Sequence, residues 1–271
     1  MSKRIGFIGC GNMGGALAKA ASKSDVVKTE QLYLADMFRA QAEKLANDLE
    51  GANVADNEQI ARECQYIFLG VKPQMMEGML ESIAPILKER TDRFVLVSMA
   101  AGLSMSCIQE MAGAEYPIIR LMPNTPVFVG EGMVLYSSDR VSLEEKDWFL
   151  QMMVHAGKLD ELPENLIDAG SAVSGCGPAF AYLFVEALAD AGVACGLPRA
   201  KAQEYAAQMM LGSAKMVLET GRHPGDLKDA VCSPAGSTIE GVMQLENGAF
   251  RGTVMDAVVA SYEKTKELGK R

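Results

Sequence analysis

Apolar positions along this chain fall into two textures. Up to about residue 160, short apolar runs at 4–9, 31–35, 66–71, 94–99, 117–122 and 133–136 alternate with stretches of helical periodicity. The runs have the length and composition of buried strands, and the pattern between them predicts helices such as 12–23, 40–49 and 74–89. A further amphipathic segment, 142–155, opens on Ser142 as an N-cap. Glu144 and Glu145 fall in its first turn, where carboxylates suit the helix dipole. Alternation of this kind builds an α/β sheet with parallel crossovers. After Pro163 no alternating strand is found. Ala-, Met- and Leu-rich segments at 178–195, 199–219, 239–247 and 250–270 read as helices. They are punctuated by Gly196-Leu197-Pro198, the stretch from Gly221 to Gly225, and Ser233-Pro234-Ala235-Gly236. Two domains are therefore expected, α/β over 1–162 and all-helical over 163–271.

The segment 178–195 is apolar nearly all round. Its Glu186 and Asp190 lie four apart and share one face, which reads as a solvated stripe in preference to an acid–base pair. A helix so apolar in so small a domain needs cover from outside its own chain, which predicts a subunit interface.

Composition narrows the class further. The chain has 271 residues, 49% of them hydrophobic, which excludes global disorder. No run approaches the roughly 18 uninterrupted apolar residues of a membrane helix. A net charge of −9 offers no basic footprint, so neither nucleic acid nor an anionic membrane is expected as a partner. The six cysteines (Cys10, Cys64, Cys107, Cys176, Cys195, Cys232) are too sparse for a disulfide scaffold. With no CxxC pair and only His155 and His223, no metal site is expected. Free thiols and a cytoplasmic location follow. The first residues superficially mimic a signal peptide, but their glycine spacing fits a nucleotide turn better, so export is not expected.

That turn is the first candidate site. Gly9-Cys10-Gly11-Asn12-Met13-Gly14 carries GxGxxG between an apolar strand and a helix, the context the motif requires. Gly9 permits the tight turn, Gly11 lets the backbone approach a pyrophosphate, and Gly14 lets helix and strand pack closely. The helix start offers free N–H groups to the anion. Asp36 ends the next strand, about 20 residues on, where a carboxylate accepts from the ribose 2′-OH of NAD and repels the 2′-phosphate of NADP. Arg39 argues the other way, since a guanidinium can hold a phosphate. The balance leans to NADH, with NADH or NADPH left open.

Three further clusters are Val71-Lys72-Pro73, Met122-Pro123-Asn124-Thr125-Pro126 and Val231-Cys232-Ser233-Pro234-Ala235-Gly236-Ser237-Thr238. The first two follow expected strands and so belong at the carboxyl ends of a parallel sheet, where ligands bind. The third opens a helix with hydroxyls and N–H groups suited to an anion. Each is also readable as an ordinary loop.

With these residues the chain resembles the pyrroline-5-carboxylate reductase family over nearly its whole length. The shared motifs include the dinucleotide turn, Val71-Lys72-Pro73, Ser98-Met99-Ala100-Ala101-Gly102, Arg120-Leu121-Met122-Pro123-Asn124-Thr125-Pro126 and Ser174-Gly175-Cys176-Gly177-Pro178-Ala179-Phe180. The most specific is Asp229-Ala230-Val231-Cys232-Ser233-Pro234-Ala235-Gly236-Ser237-Thr238. The chain departs from the family at Ala235, usually Gly, and at Ser237, commonly Thr or Ala.

The resemblance implies an α/β Rossmann-like N-terminal domain followed by an all-α C-terminal dimerisation domain. It also implies a homodimer, with dimers often associating into decamers. The implied reaction is hydride transfer from NAD(P)H to a cyclic imine carboxylate, giving L-proline. By the same analogy Ser233, Gly236, Ser237 and Thr238 hold the substrate, with Thr238 and Ser233 the catalytic candidates. Gly9, Cys10, Gly11, Asn12, Met13, Gly14 and Asp36 bind the cofactor, and Val71, Lys72, Pro73, Ala100, Asn124 and Thr125 line its nicotinamide side.

Lys72 is open as a general acid or as a structural lysine before a proline. Two rivals stand beside this reading. One is a β-hydroxyacid dehydrogenase-like enzyme using Lys215, and the other is a non-catalytic dinucleotide-binding module. A six-membered cyclic imine is a further candidate substrate.

Overall fold

A computed structural model of the chain describes residues 3–268. Strand and helix alternate as far as Glu161, in the order β1 (Ile5–Ile8), α1 (Asn12–Ser22), β2 (Leu32–Ala35), α2 (Arg39–Asp48), β3 (Asn53–Val54), α3 (Asn57–Glu63) and β4 (Tyr66–Leu69). There follow α4 (Pro73–Glu89), β5 (Val95–Ser98), α5 (Met105–Ala112), β6 (Ile118–Met122), β7 (Gly132–Asp139), α6 (Leu143–Met152) and β8 (Gly157–Glu161). From there the described chain is helical: α7 (Glu164–Ser174), α8 (Gly177–Ala194), α9 (Arg199–Thr220), α10 (Pro224–Ala230), α11 (Ser237–Asn247) and α12 (Phe250–Leu268). The last two residues of the expected helix 250–270 lie outside the described residues.

The strands form one sheet in the order β3-β2-β1-β4-β5-β6-β7-β8. From β3 to β6 every pairing is parallel. Both faces are covered, so β1, β4 and β5 are buried at every position and read as continuous apolar runs. Alternate residues feed two cores. Phe7, Phe68 and Val97 pack with α1 and Phe149 on one face, while Ile8, Ile67, Leu69 and Leu96 pack with α3, α4 and α5 on the other. The rings of Phe7 and Phe68 stack across the β1–β4 pair with centroids 4.3 Å apart. The capping box at Ser142 is present: its hydroxyl accepts from the Glu145 N–H while the Glu145 carboxylate accepts from the Ser142 N–H.

Three differences from the expected elements have physical causes. β7 runs antiparallel to β6, because the connection between them is too short for a parallel crossover. It contains only a 3-10 turn, Thr125–Val129. β8 escapes the apolar pattern because it is an edge strand, with Lys158, Asp160 and Glu161 exposed. β3 has two residues and is held by pairing to β2, not by its own propensity.

The chain divides into two compact units. One runs to Cys176 and takes in the segment from Ser261 on; the other is Gly177–Ala260. α7 belongs to the first because it packs on β7 and β6. In the second, α8 and α9 form an antiparallel pair joined by the turn Cys195-Gly196-Leu197-Pro198, and Phe184 meets Phe250 at 5.7 Å. Its helices leave large apolar side chains uncovered, among them Tyr182, Leu183, Tyr205, Leu211, Met216 and Leu218. Within Glu164–Ala194 an 18-residue window has a mean hydropathy of 1.4, high enough for a membrane span by length and composition, and only 11% of that window is buried. Asp190, within it, is ion-paired with Arg199, and Glu186 is exposed.

Candidate active site

The strand order reverses between β1 and β4, and the dinucleotide turn leaves β1 at this switch point. Gly9 has φ of +106°, and a Cβ there would lie 2.6 Å from the Gly70 carbonyl that follows β4. A Cβ on Gly14 would overlap the Gly9 carbonyl oxygen, so α1 packs on its strand only because Gly14 has no side chain. At Gly11 the space is open: nothing lies within 4 Å of an added Cβ. Gly11 is also the N-cap of α1, with no side chain capping the helix and no carboxylate in its first turn. The first helical bond is Gly15 N–H to the Gly11 carbonyl at 2.8 Å. The N–H groups of Asn12, Met13 and Gly14 therefore find no acceptor among the described residues, and they suit a pyrophosphate.

Two residues hold the turn in this shape. Asp36, directly after β2, accepts from the Cys10 N–H at 2.7 Å through one carboxylate oxygen. Its other oxygen accepts from the Phe38 N–H at 2.9 Å. The Cys10 thiol donates to the Ala35 carbonyl at 3.3 Å. Burial, with the Asp36 charge adding to it, pushes that thiol up to about 12, so Cys10 is a neutral packing residue.

The other carboxyl strand ends gather beside this turn. Lys72 is the exposed N-cap of α4, Val71 is half-buried before it, and Pro73 is the first helical residue, where its missing N–H costs nothing. Ala100, after β5, is buried, and its N–H donates to the Ser98 hydroxyl at 3.4 Å. Thr125 is exposed at the start of the 3-10 turn. Asn124, expected to face the nicotinamide, is buried. Its amide oxygen accepts from the Met133 N–H, and its amide nitrogen donates to the Ser174 carbonyl. It shapes the loop that presents Thr125.

Sequence reasoning missed the polar group under this loop. Arg120 on β6 is 4% exposed, and its guanidinium donates to Asp168 at 2.5 Å and lies 3.5 Å from Glu164. Glu164 also accepts from the Met105 N–H at the start of α5, at 2.6 Å. The Arg120 Nε is buried without a partner. A lone arginine inside the apolar strand 117–122 was the signal that a carboxylate pair faces it.

The third cluster belongs to the other unit. Gly236 is the N-cap of α11, and no side chain caps that helix. The Gly236 N–H donates to the Ser233 carbonyl at 3.0 Å, and a Cβ on Gly236 would overlap the Ser233 hydroxyl. Ser233, Ser237 and Thr238 are exposed, and their hydroxyls have no partner among the described residues. Ala235 lies in the left-handed region at φ +56°, a conformation that an alanine adopts only with strain. A glycine, which the family resemblance implies at this position, would adopt it freely.

Residues 164–268 match the family model described as pyrroline-5-carboxylate reductase dimerisation, and residues 4–102 match that of NADP oxidoreductase, coenzyme F420-dependent. The pyrroline-5-carboxylate reductase of Glycine max is 42% identical over 98% of this chain and 96% of its own. That of Escherichia coli K12 is 40% identical over the full length of both. The chain belongs to the pyrroline-5-carboxylate reductase family. Among solved structures, the Plasmodium falciparum pyrroline carboxylate reductase with NADP bound superposes with a TM-score of 0.86 at 36% identity, covering 98% of each chain. As in this family, a Rossmann-like sheet domain precedes a helical dimerisation domain.

Proposed function

We propose that this chain reduces L-1-pyrroline-5-carboxylate to L-proline with NAD(P)H, the last step of proline biosynthesis. Its end-to-end similarity to reductases of that name supports the reading. The structural observation that carries it is the uncapped, hydroxyl-lined start of α11, a feature that a purely cofactor-binding protein has no use for. Bound NAD(P)H supplies a hydride to the C=N carbon of the imine.

A protonated imine is already electrophilic, so the protein's task is orientation more than acid catalysis. Ser233, Gly236, Ser237 and Thr238 take the substrate carboxylate on hydroxyls and N–H groups, against the chain's net charge of −9. The Thr238 hydroxyl contacts the ring nitrogen. Residues 9–14 and Asp36 hold the cofactor, with Val71, Lys72, Pro73, Ala100 and Thr125 beside the nicotinamide and Asn124 shaping their loop.

The functional division falls at 1–162 and 163–271, where strands give way to helices. The protein works as a homodimer, supported by the uncovered apolar faces and the dimerisation match. The same resemblance extends this to dimers associating into decamers. An interface accounts for the apolar stretch within 164–194, a reading supported by the dimerisation match that covers it. All six cysteines are free, which supports a cytoplasmic location.

The test is NAD(P)H oxidation with pyrroline-5-carboxylate, its six-membered homologue and, in reverse, a panel of β-hydroxyacids. Activity with the five-membered imine and its loss in Thr238→Ala are expected. Activity on β-hydroxyacids alone would instead select a dehydrogenase, although Lys215 is exposed and sits 3.9 Å from Glu219. Cofactor binding without any turnover would select a binding module.

A further inference from the structure

Resting on the reductase reading, we infer that this chain takes NADH in preference to NADPH, and that Asp36 is the discriminating residue. β2 lies beside β1, in parallel and in register, so Asp36 and the dinucleotide turn leave the same edge of the sheet as neighbours. The carboxylate is fixed there from two sides. It accepts from the Cys10 N–H inside the turn at 2.7 Å and from the Phe38 N–H at 2.9 Å. Phe38 is the N-cap of α2, so Asp36 already stands as the anion at that helix start. An adenosine ribose running from the turn toward the end of β2 meets lone pairs that accept from a 2′-hydroxyl. A 2′-phosphate in the same place meets a carboxylate that cannot swing away without releasing both N–H groups.

The surrounding cations do not reverse this. Arg39 is the first residue of α2, and its guanidinium is paired with Glu43 at 2.9 Å. Both side chains are more than half exposed, so the pair is weak, but it turns the Arg39 guanidinium to Glu43 on its own helix. Lys19 is paired with Asp48 at 2.7 Å, and Lys44 shares a groove of about 450 Å³ with that same Asp48. Met37 and Phe38, exposed at 70% and 63%, offer an apolar surface to the adenine at this strand end. The binding surface thus suits an uncharged 2′ position.

The experiment measures kcat/KM for NADH and NADPH on the wild type, together with thermal shifts by 5′-ADP and by 2′,5′-ADP. The expected result is at least about a tenfold preference for NADH, with a larger shift from 5′-ADP. Asp36→Ser should reduce the preference at least about tenfold by gaining NADPH activity. Arg39→Ala should leave the ratio unchanged. A wild type that prefers NADPH overturns the inference, as does a larger shift from 2′,5′-ADP. So does an Arg39→Ala variant that loses NADPH activity selectively. Should Asp36→Ser fail to fold, the wild-type ratio and both shifts still decide. If neither cofactor supports imine reduction, the reductase reading fails, and the two thermal shifts judge the role of Asp36 separately.

Discussion

The Asn124 side chain donates to the Ser174 carbonyl at 2.9 Å, joining the loop after β6 to the end of α7, fifty positions along the chain. Its other end receives the Met133 N–H at 2.9 Å. Asn124→Ala leaves the half-buried Ser174 carbonyl and Met133 N–H without these partners, a loss of about 1–2 kcal/mol. A lower urea midpoint is expected, together with a kcat loss that exceeds any rise in KM for NAD(P)H, because the variant misplaces Thr125 and leaves the pyrophosphate turn intact.

Two glycines of one motif should fail in opposite ways. Gly14→Ala collides with the Gly9 carbonyl and should lower the melting temperature sharply. Gly11→Ala meets open space, so its melting temperature should stay near that of the wild type. Its methyl group instead stands where the pyrophosphate approaches, and KM for the cofactor should rise at least about tenfold. Unchanged cofactor KM in Gly11→Ala would remove the turn from the binding site.

Arg120 is the buried cation between Asp168 and Glu164, whose side chains are about a quarter exposed. Arg120→Met strands two carboxylates and should cost about 2–4 kcal/mol by urea denaturation. Neutralising those carboxylates in the same chain, as Arg120→Met with Glu164→Gln and Asp168→Asn, should recover most of the loss. Absence of recovery would mean that packing, not charge, holds α7 on the sheet.

The architecture was largely legible because β1, β4 and β5 are buried on both faces and so write uninterrupted apolar runs into the sequence. β8 was not legible, since an edge strand with three exposed charges carries no such run. The direction of β7 depended on loop length, which hydrophobic patterning does not encode. In the site, GxGxxG announced its own roles because each glycine answers a distinct steric demand. The Arg120 group and the engagement of Asn124 stayed hidden, because both depend on partners 44 to 50 residues away that only folding brings near.

Ala235 marks a place where this chain holds a methyl group in a glycine conformation. Ala235→Gly should remove about 1 kcal/mol of strain, offset in part by the greater freedom of glycine in the unfolded chain. A small rise in melting temperature is expected, with faster hydrogen exchange at the N–H groups of residues 236–238. A fall of several degrees would show that the methyl group makes a contact worth more than its strain.

The uncovered side chains of α8 and α9 have a consequence for how the molecule survives dilution. A helical half that keeps Tyr182, Leu183, Leu211 and Leu218 in water holds only part of a hydrophobic core, and in the proposed dimer a second copy supplies the remainder. Its folding and its assembly are then one bimolecular equilibrium, worth about 1.4 kcal/mol for every tenfold change in protomer concentration. The protein has no single intrinsic stability. Its melting temperature should climb with concentration, and below some threshold the helices should come apart while the β1–β6 sheet stays folded.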